Sequence, residues 1–124
     1  MIKWFSLCLG TLIGGISRYL LAGVIYQWFG ANFPYGTLIV NISGCFLVGF
    51  LNVLAEMKFL LSPNARLLLM IGFCGAFTTF STLILETSGL IREGELAKAF
   101  ANVSASFFLG LLFFYLGEMT AELI

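Results

Sequence analysis

The sequence of 124 residues contains no histidine, only two prolines and few charged residues. Its six basic and six acidic residues cancel, and they form no acidic or basic run. The lack of histidine excludes imidazole metal sites and histidine-based catalysis. The lack of a basic run excludes a nucleic-acid partner bound through its phosphates. Charged residues make up 10% of the chain, whereas soluble domains carry roughly 25%, so the composition is not that of a soluble domain.

The chain has three cysteines, Cys8, Cys45 and Cys74, and all of them lie in apolar segments. None of them has the spacing of a metal-binding pair. We interpret them as buried free thiols rather than as disulfides or metal ligands. They therefore do not indicate a redox compartment.

Hydrophobic residues make up 60% of the chain and fall into four segments long enough to cross a membrane. A spanning helix needs about 20 mostly apolar residues. The predicted spans cover about residues 4–29, 35–57, 65–90 and 96–120. Ser62 and Pro63 are typical of a helix start and precede the third span. The sequence predicts one all-α transmembrane domain over residues 1–124, with its function inside the bilayer.

The basic residues of the loops show almost no bias between the two sides of the membrane. Lys3, Lys58 and Arg66 fall on one side, and Arg92 and Lys98 on the other. Lys and Arg in short loops set orientation, so this distribution leaves two readings open. The chain has one weakly determined orientation, or it inserts in both orientations and copies pair antiparallel. Four short helices enclose little volume, so we expect an oligomer.

Polar residues inside the first two spans are costly and therefore informative. Gly10 and Gly14 form a small-residue face that favours close helix packing. Arg18, half-way along its span, needs carbonyls, a carboxylate, water or an anion, and it indicates either an electropositive vestibule or a structural tether. Asn41 in the second span either bonds across helices or lines a polar pathway.

The third span contains the strongest local signal, in residues 72–82. Two glycines are followed by threonines and a serine, which weaken helix propensity and compete for backbone hydrogen bonds. This pattern predicts a helix break near the bilayer midplane, and a kinked but packed helix is the alternative. A break exposes carbonyl and N–H groups that can bind ions. Phe80 follows the proposed break, and its positive ring edge can favour a small anion.

The fourth span carries Asn102, Ser106 and Gly110 at intervals of four residues. This spacing places the three on one face of a helix. The stripe indicates either helix packing or a track of amide and hydroxyl groups for a desolvated ion.

Together these motifs resemble those of the bacterial fluoride channels called Fluc or CrcB. The resemblance rests on residues 14–19, 36–41 and 72–82, and on Glu86 six residues after Phe80. It implies an antiparallel, dual-topology homodimer with two pathways through which accumulated fluoride leaves the cytoplasm, in a bacterial plasma or inner membrane. It also implies a structural sodium ion at the dimer centre, held by the backbone carbonyls of Gly75 and Thr78.

The resemblance also implies roles for side chains. The fluoride pathway would contain Asn41, Phe80, Ser81, Thr82, Leu83, Asn102 and Ser106. The vestibule or structural polar residues would be Arg18, Thr37 and Glu86. Leu83 stands where the family has its second pore phenylalanine. Phe77 lies one turn before Phe80 on a similar face, but the family motif does not make it a replacement.

Passive fluoride conduction, without catalysis, is thus the expected function. The first alternative is a proton-coupled exporter of the small multidrug-resistance type, which needs a carboxylate embedded in the membrane. Glu86 is the only acidic residue well inside a predicted span, and it lies toward the end of the third helix. The second alternative is a membrane subunit without transport activity. Fluoride flux through reconstituted protein would distinguish all three.

Overall fold

The computed structural model describes residues 1–124, and its helices form four segments long and apolar enough to span a membrane. The helices are α1 (Ile2–Phe29), α2 (Tyr35–Met57), α3 (residues 63–77), α4 (Phe80–Arg92) and α5 (Leu96–Glu122). Helices α3 and α4 together form the third span, Pro63–Arg92. The chain contains no strand. The predicted all-α architecture with four spans is confirmed.

The ends of the helices follow local sequence signals. The Ala65 N–H donates to Ser62 Oγ at 3.2 Å, and Pro63 is the first helical residue, as predicted. Gly30 ends α1 with a φ of 80°, and Gly94 lies in the turn after α4 with a φ of 77°. These left-handed conformations suit glycine, which has no side chain to clash.

Helix α1 packs on α3 through the predicted small-residue face. Gly10 and Gly14 are both buried. A Cβ atom at Gly10 would lie 2.1 Å from the Leu68 carbonyl oxygen, and one at Gly14 would lie 2.3 Å from that of Phe73. The two backbones therefore touch at these positions, as small residues permit in membrane helices.

Helices α2 and α5 approach each other in the same way. A Cβ at Gly49 would lie 2.0 Å from the Phe114 carbonyl oxygen, and one at Gly117 would lie 2.1 Å from that of Phe46. Backbone contact thus joins the first span to the third and the second span to the fourth. The sequence predicted the packing face of Gly10 and Gly14 but not its partner helix, and it did not predict the contact between α2 and α5.

The second and third spans contain wide, π-helical turns, at Val53–Met57 and Leu67–Cys74. The Lys58 N–H donates to the Val53 carbonyl at 3.0 Å and closes the first of these segments. Arg66 then joins the two spans, because its guanidinium pairs with Glu56 and donates to the Ala55 carbonyl at 2.7 Å.

The prediction that all three thiols are buried is wrong for two of them. Cys74 is buried, Cys45 is partly exposed and Cys8 is exposed, and all three are free. Cys8 lies two residues from Gly10, on a different face of α1 from the glycines that contact α3. Large apolar side chains are exposed along all four spans, as expected for surfaces that face lipid or another subunit.

Candidate functional site

The third span is broken in its middle, at Thr78 and Thr79. Both residues are extended, with ψ angles of 156° and 116°. Gly72 and Gly75, which contributed to the prediction, are helical and lie before the break. The predicted break is therefore present, and threonines rather than glycines form it.

Hydroxyl groups satisfy the backbone on both sides of the break. Thr78 Oγ1 donates to the Cys74 carbonyl at 2.9 Å. Thr79 Oγ1 accepts a hydrogen bond from the Thr82 N–H at 3.2 Å and so caps α4. These contacts explain how polar threonines are accommodated where the helical hydrogen-bond pattern stops.

Asn41 of α2 binds the break directly. Its Oδ1 accepts the Thr79 N–H at 2.8 Å, and its Nδ2 donates to the Thr79 carbonyl at 3.1 Å. Of the two readings of Asn41, the bond across helices is thus present. Asn41 also borders a groove between α2, the break and α5, so the reading in which it lines a polar pathway stays open.

This groove, which we call the Phe80 groove, lies between α2, the break and α5. It has a volume of about 420 Å³. The polar and aromatic residues that border it include Asn41, Thr78, Thr79, Phe80, Ser106 and Phe107. The structure therefore brings together residues of three spans that the sequence analysis assigned to one pathway.

Phe80 is the most exposed aromatic residue of this groove, with 74% of its surface accessible. Leu83, one turn later, also borders the groove but is only 9% exposed. Phe77 is buried and stacks on Phe73, with ring centroids 5.4 Å apart. Phe77 therefore packs in the interior and does not border the Phe80 groove.

Ser81 and Thr82 do not border the Phe80 groove. Thr82 Oγ1 accepts a hydrogen bond from Thr79 Oγ1 at 3.0 Å and borders a different groove. Ser81 is exposed, and its hydroxyl lies 3.3 Å from Thr79 Oγ1. Thr79, which the sequence analysis did not assign to the site, is the residue that joins these hydroxyls.

The polar stripe of α5 is only partly in the groove. Ser106 borders the Phe80 groove, whereas Asn102 is 1% exposed and donates to Thr87 Oγ1 at 3.0 Å. Thr87 in turn donates to the Leu83 carbonyl at 2.7 Å. Asn102 Oδ1 and Ser106 Oγ are buried without a partner in the chain, and such groups require a ligand or water.

A second groove, the Arg18 groove, has a volume of about 550 Å³ and is bordered by Arg18, Tyr26, Thr37, Thr82 and Glu86. The Glu86 carboxylate accepts hydrogen bonds from Tyr26 OH at 2.8 Å and from Thr37 Oγ1. The two ion pairs of the chain join Arg66 to Glu56 and Lys98 to Glu95. Arg18 therefore has no carboxylate partner, and Tyr26 is a site residue that the sequence analysis missed.

The break leaves the Gly75 carbonyl without its helical hydrogen-bond donor. The Thr79 N–H, which a continuous helix would direct to the Gly75 carbonyl, donates to Asn41 instead. Gly75 is exposed, and no atom lies within 4 Å of its Cβ position. No three Cys, Asp or Glu side chains are clustered in the chain, so a cation here would need carbonyl ligands.

Known proteins match almost the whole chain. A family model described as "CrcB-like protein, Camphor Resistance (CrcB)" matches residues 5–118. A protein of Chlorobaculum tepidum is 46% identical over 114 residues, which cover 92% of this chain and 90% of that protein. A protein of Methylocella silvestris is 42% identical over 118 residues, with 94% and 90% coverage.

A protein of Methylococcus capsulatus is 43% identical over 118 residues, which cover 95% of this chain and 52% of that protein. The chain thus spans about half the length of the Methylococcus protein and about nine tenths of the other two. All three relatives carry the name "Fluoride-specific ion channel FluC". With four apolar spans and bacterial relatives, the chain is a multi-pass bacterial membrane protein, and it belongs to the CrcB family.

Proposed function

We propose that the chain is a fluoride-selective channel that lets fluoride leave the cytoplasm passively and so lowers its toxicity. The observation that carries this proposal is the Phe80 groove, which joins an exposed aromatic ring to the amide of Asn41 and the hydroxyl of Ser106. The names of its relatives support the same function. Conduction of this kind changes no covalent bond, so the chain acts as a channel and not as an enzyme.

The proposed mechanism replaces the water around fluoride with groups of the protein. Asn41 has one N–H left after its bond to Thr79, and Ser106 has a buried hydroxyl without a partner. Both can donate to an anion, and the ring edge of Phe80 carries partial positive charge. A narrow site with such donors favours a small anion over chloride.

We assign the remaining polar residues to supporting positions in this pathway. Ser81 and Thr82 extend the hydroxyl groups that begin at Thr79, and Thr82 borders the Arg18 groove. Leu83 borders the Phe80 groove and Asn102 does not, and Thr87 links the two residues. Arg18 provides positive charge at the Arg18 groove, where it forms no ion pair with Glu86 or any other carboxylate of the chain.

A second copy of the chain completes the site in this proposal. Phe80 and Gly75 are both exposed in the single chain, although they lie at the middle of a span. Irregular backbone at this depth is tolerated only inside protein or beside a cavity. An antiparallel copy would cover the break and give two symmetric pathways.

In this proposal the carbonyls of Gly75 and Thr78 would hold a sodium ion at the centre of the dimer. The Gly75 carbonyl has lost its helical donor to Asn41, and Gly75 is exposed in the single chain. A sodium ion would supply fixed positive charge near the anion pathways. The residues of the chain would hold it through backbone oxygen atoms, which suit a hard cation.

The structure gives less support to a proton-coupled exporter. Such a protein needs an embedded carboxylate that is free to exchange a proton for a substrate. Glu86 accepts hydrogen bonds from both Tyr26 and Thr37. These bonds hold its carboxylate in a network between three spans.

Fluoride efflux from liposomes tests the proposal. Purified protein is reconstituted with internal potassium fluoride, and valinomycin is added to carry the compensating potassium. We expect fluoride release that starts with the ionophore, and no chloride release from matched chloride-loaded liposomes. Equal release of both anions, or release no faster than from protein-free liposomes, would contradict the proposed function.

A further inference from the structure

The peptide group of Thr79 has an unusual hydrogen-bond partner. Its N–H and its carbonyl both bond to the side chain of Asn41, at 2.8 Å and 3.1 Å. A side-chain amide offers one acceptor and two donors, so it can pair with a peptide group as another backbone would. One residue of α2 therefore satisfies both backbone groups of one residue in the third span.

The Thr79 N–H lies away from water and needs a hydrogen-bond acceptor from the protein, which can come from two sources. In a continuous helix it would donate to the Gly75 carbonyl, and in the broken form it needs an acceptor from elsewhere. An unpaired backbone group at this depth is strongly unfavourable. The acceptor that the structure provides is Asn41 Oδ1.

The other contacts at the break do not perform this task. Thr78 Oγ1 bonds to the Cys74 carbonyl before the break, and Thr79 Oγ1 bonds to the Thr82 N–H after it. Neither hydroxyl reaches the Thr79 N–H or its carbonyl. The break therefore depends on a side chain from a different span.

We propose that Asn41 is a positioning residue that keeps the third span broken. It holds the Thr79 peptide group outside the helical pattern, which leaves the Gly75 carbonyl free and places Phe80 at the start of α4. The importance of this role for conduction rests on the proposed function, but the role itself concerns only the backbone. Asn41 thus acts on the proposed pathway through Thr79, in addition to bordering the Phe80 groove itself.

The sequence allows a direct measurement, because Thr78–Thr79 is the only pair of adjacent threonines in the chain. Labelling threonine with both carbonyl ¹³C and amide ¹⁵N therefore isolates one coupled amide signal, that of Thr79. In Asn41→Leu we expect one of two changes in the NMR signal of the Thr79 amide. Its chemical shift moves to the range typical of a helix, or its amide hydrogen exchanges about tenfold faster or more, as expected for a lost hydrogen bond. An unchanged chemical shift of the Thr79 amide together with an unchanged exchange rate would overturn the proposal.

Ser43→Ala is the matched control, since Ser43 is also a polar residue of α2 but bonds only to the Ile39 and Val40 carbonyls of its own helix. We expect it to leave the Thr79 signal unchanged, and an equal shift in both variants would also overturn the proposal. If Asn41→Leu does not give a monodisperse sample, Asn41→Ala removes the same two bonds with less bulk. Fluoride efflux by the wild-type protein is measured separately, so failure of the proposed function leaves the Thr79 result interpretable.

Discussion

Phe80 is an exposed aromatic residue at the middle of a span. Its ring is 74% exposed in the single chain, beside the helix break and the amide of Asn41. Phe80→Ile keeps apolar bulk and removes the positive ring edge. We expect fluoride efflux from liposomes to fall by about tenfold, which corresponds to the loss of roughly 1.4 kcal/mol of ion stabilisation.

Phe100→Ile is the control for this experiment. Phe100 is 77% exposed on α5 and does not border the Phe80 groove. Its replacement should leave the rate of efflux unchanged. If Phe80→Ile conducts as fast as the Phe100→Ile protein, Phe80 serves only in packing.

Residue identities alone predicted which side chains are polar and embedded, but not how they pair. Asn41 left two readings open, and only the position of α2 beside Thr79 shows that it bonds across helices. Tyr26 was missed because a tyrosine near the end of a span gives no signal of a carboxylate 60 residues away. Such pairings are tertiary, and the local sequence does not contain them.

Among the helices, the contact between α1 and α3 makes the sharpest prediction of stability. A Cβ at Gly14 would lie 2.3 Å from a backbone oxygen of Phe73, whereas no atom lies within 4 Å of a Cβ at the adjacent Gly15. Gly14→Ala must therefore separate the helices, at a cost of about 1–3 kcal/mol. Gly15→Ala should not destabilise the protein, because the added Cβ meets no atom and alanine is the better helix former by up to about 1 kcal/mol.

Thermal unfolding of the two variants, followed by the fluorescence of Trp4 and Trp28, measures this difference. The midpoint should fall in Gly14→Ala, and in Gly15→Ala it should stay at the wild-type value or rise by up to about 5 °C. Equal midpoints would show that the two backbones do not touch.

The sequence predicted the existence of the helix break better than its position. Residues 72–82 contain several weak helix formers, so the local pattern alone does not select one residue. The break lies at Thr78 and Thr79 because hydroxyl caps and Asn41 satisfy the backbone there. Gly72 stays helical and instead lies close to α1, since its Cβ would lie 2.9 Å from the Leu7 carbonyl oxygen.

For the molecule as a whole, the weak bias of three against two basic loop residues predicts insertion in both orientations. A C-terminal tag should then be accessible from both sides of the membrane in a folded sample. Accessibility from one side alone would exclude an antiparallel homodimer.

Two matched substitutions sharpen this test. Asn32 and Asn64 are both exposed, in the α1–α2 loop and in the first turn of α3, on opposite sides of the membrane. Asn32→Lys and Asn64→Lys should each favour one orientation, and opposite ones. We expect each variant alone to give less fluoride efflux per protein, and the two expressed together to restore it. Full efflux from either variant in a single orientation would show that antiparallel pairing is unnecessary.

The most direct test of the central claim is the reversal potential of the reconstituted protein in a planar bilayer. The two chambers hold different fluoride concentrations, with opposed chloride and pH gradients. A passive, fluoride-selective pathway predicts a reversal potential at the equilibrium potential of fluoride, unaffected by the pH gradient. A reversal potential that follows chloride, or that moves when the pH gradient alone is changed, would contradict the account.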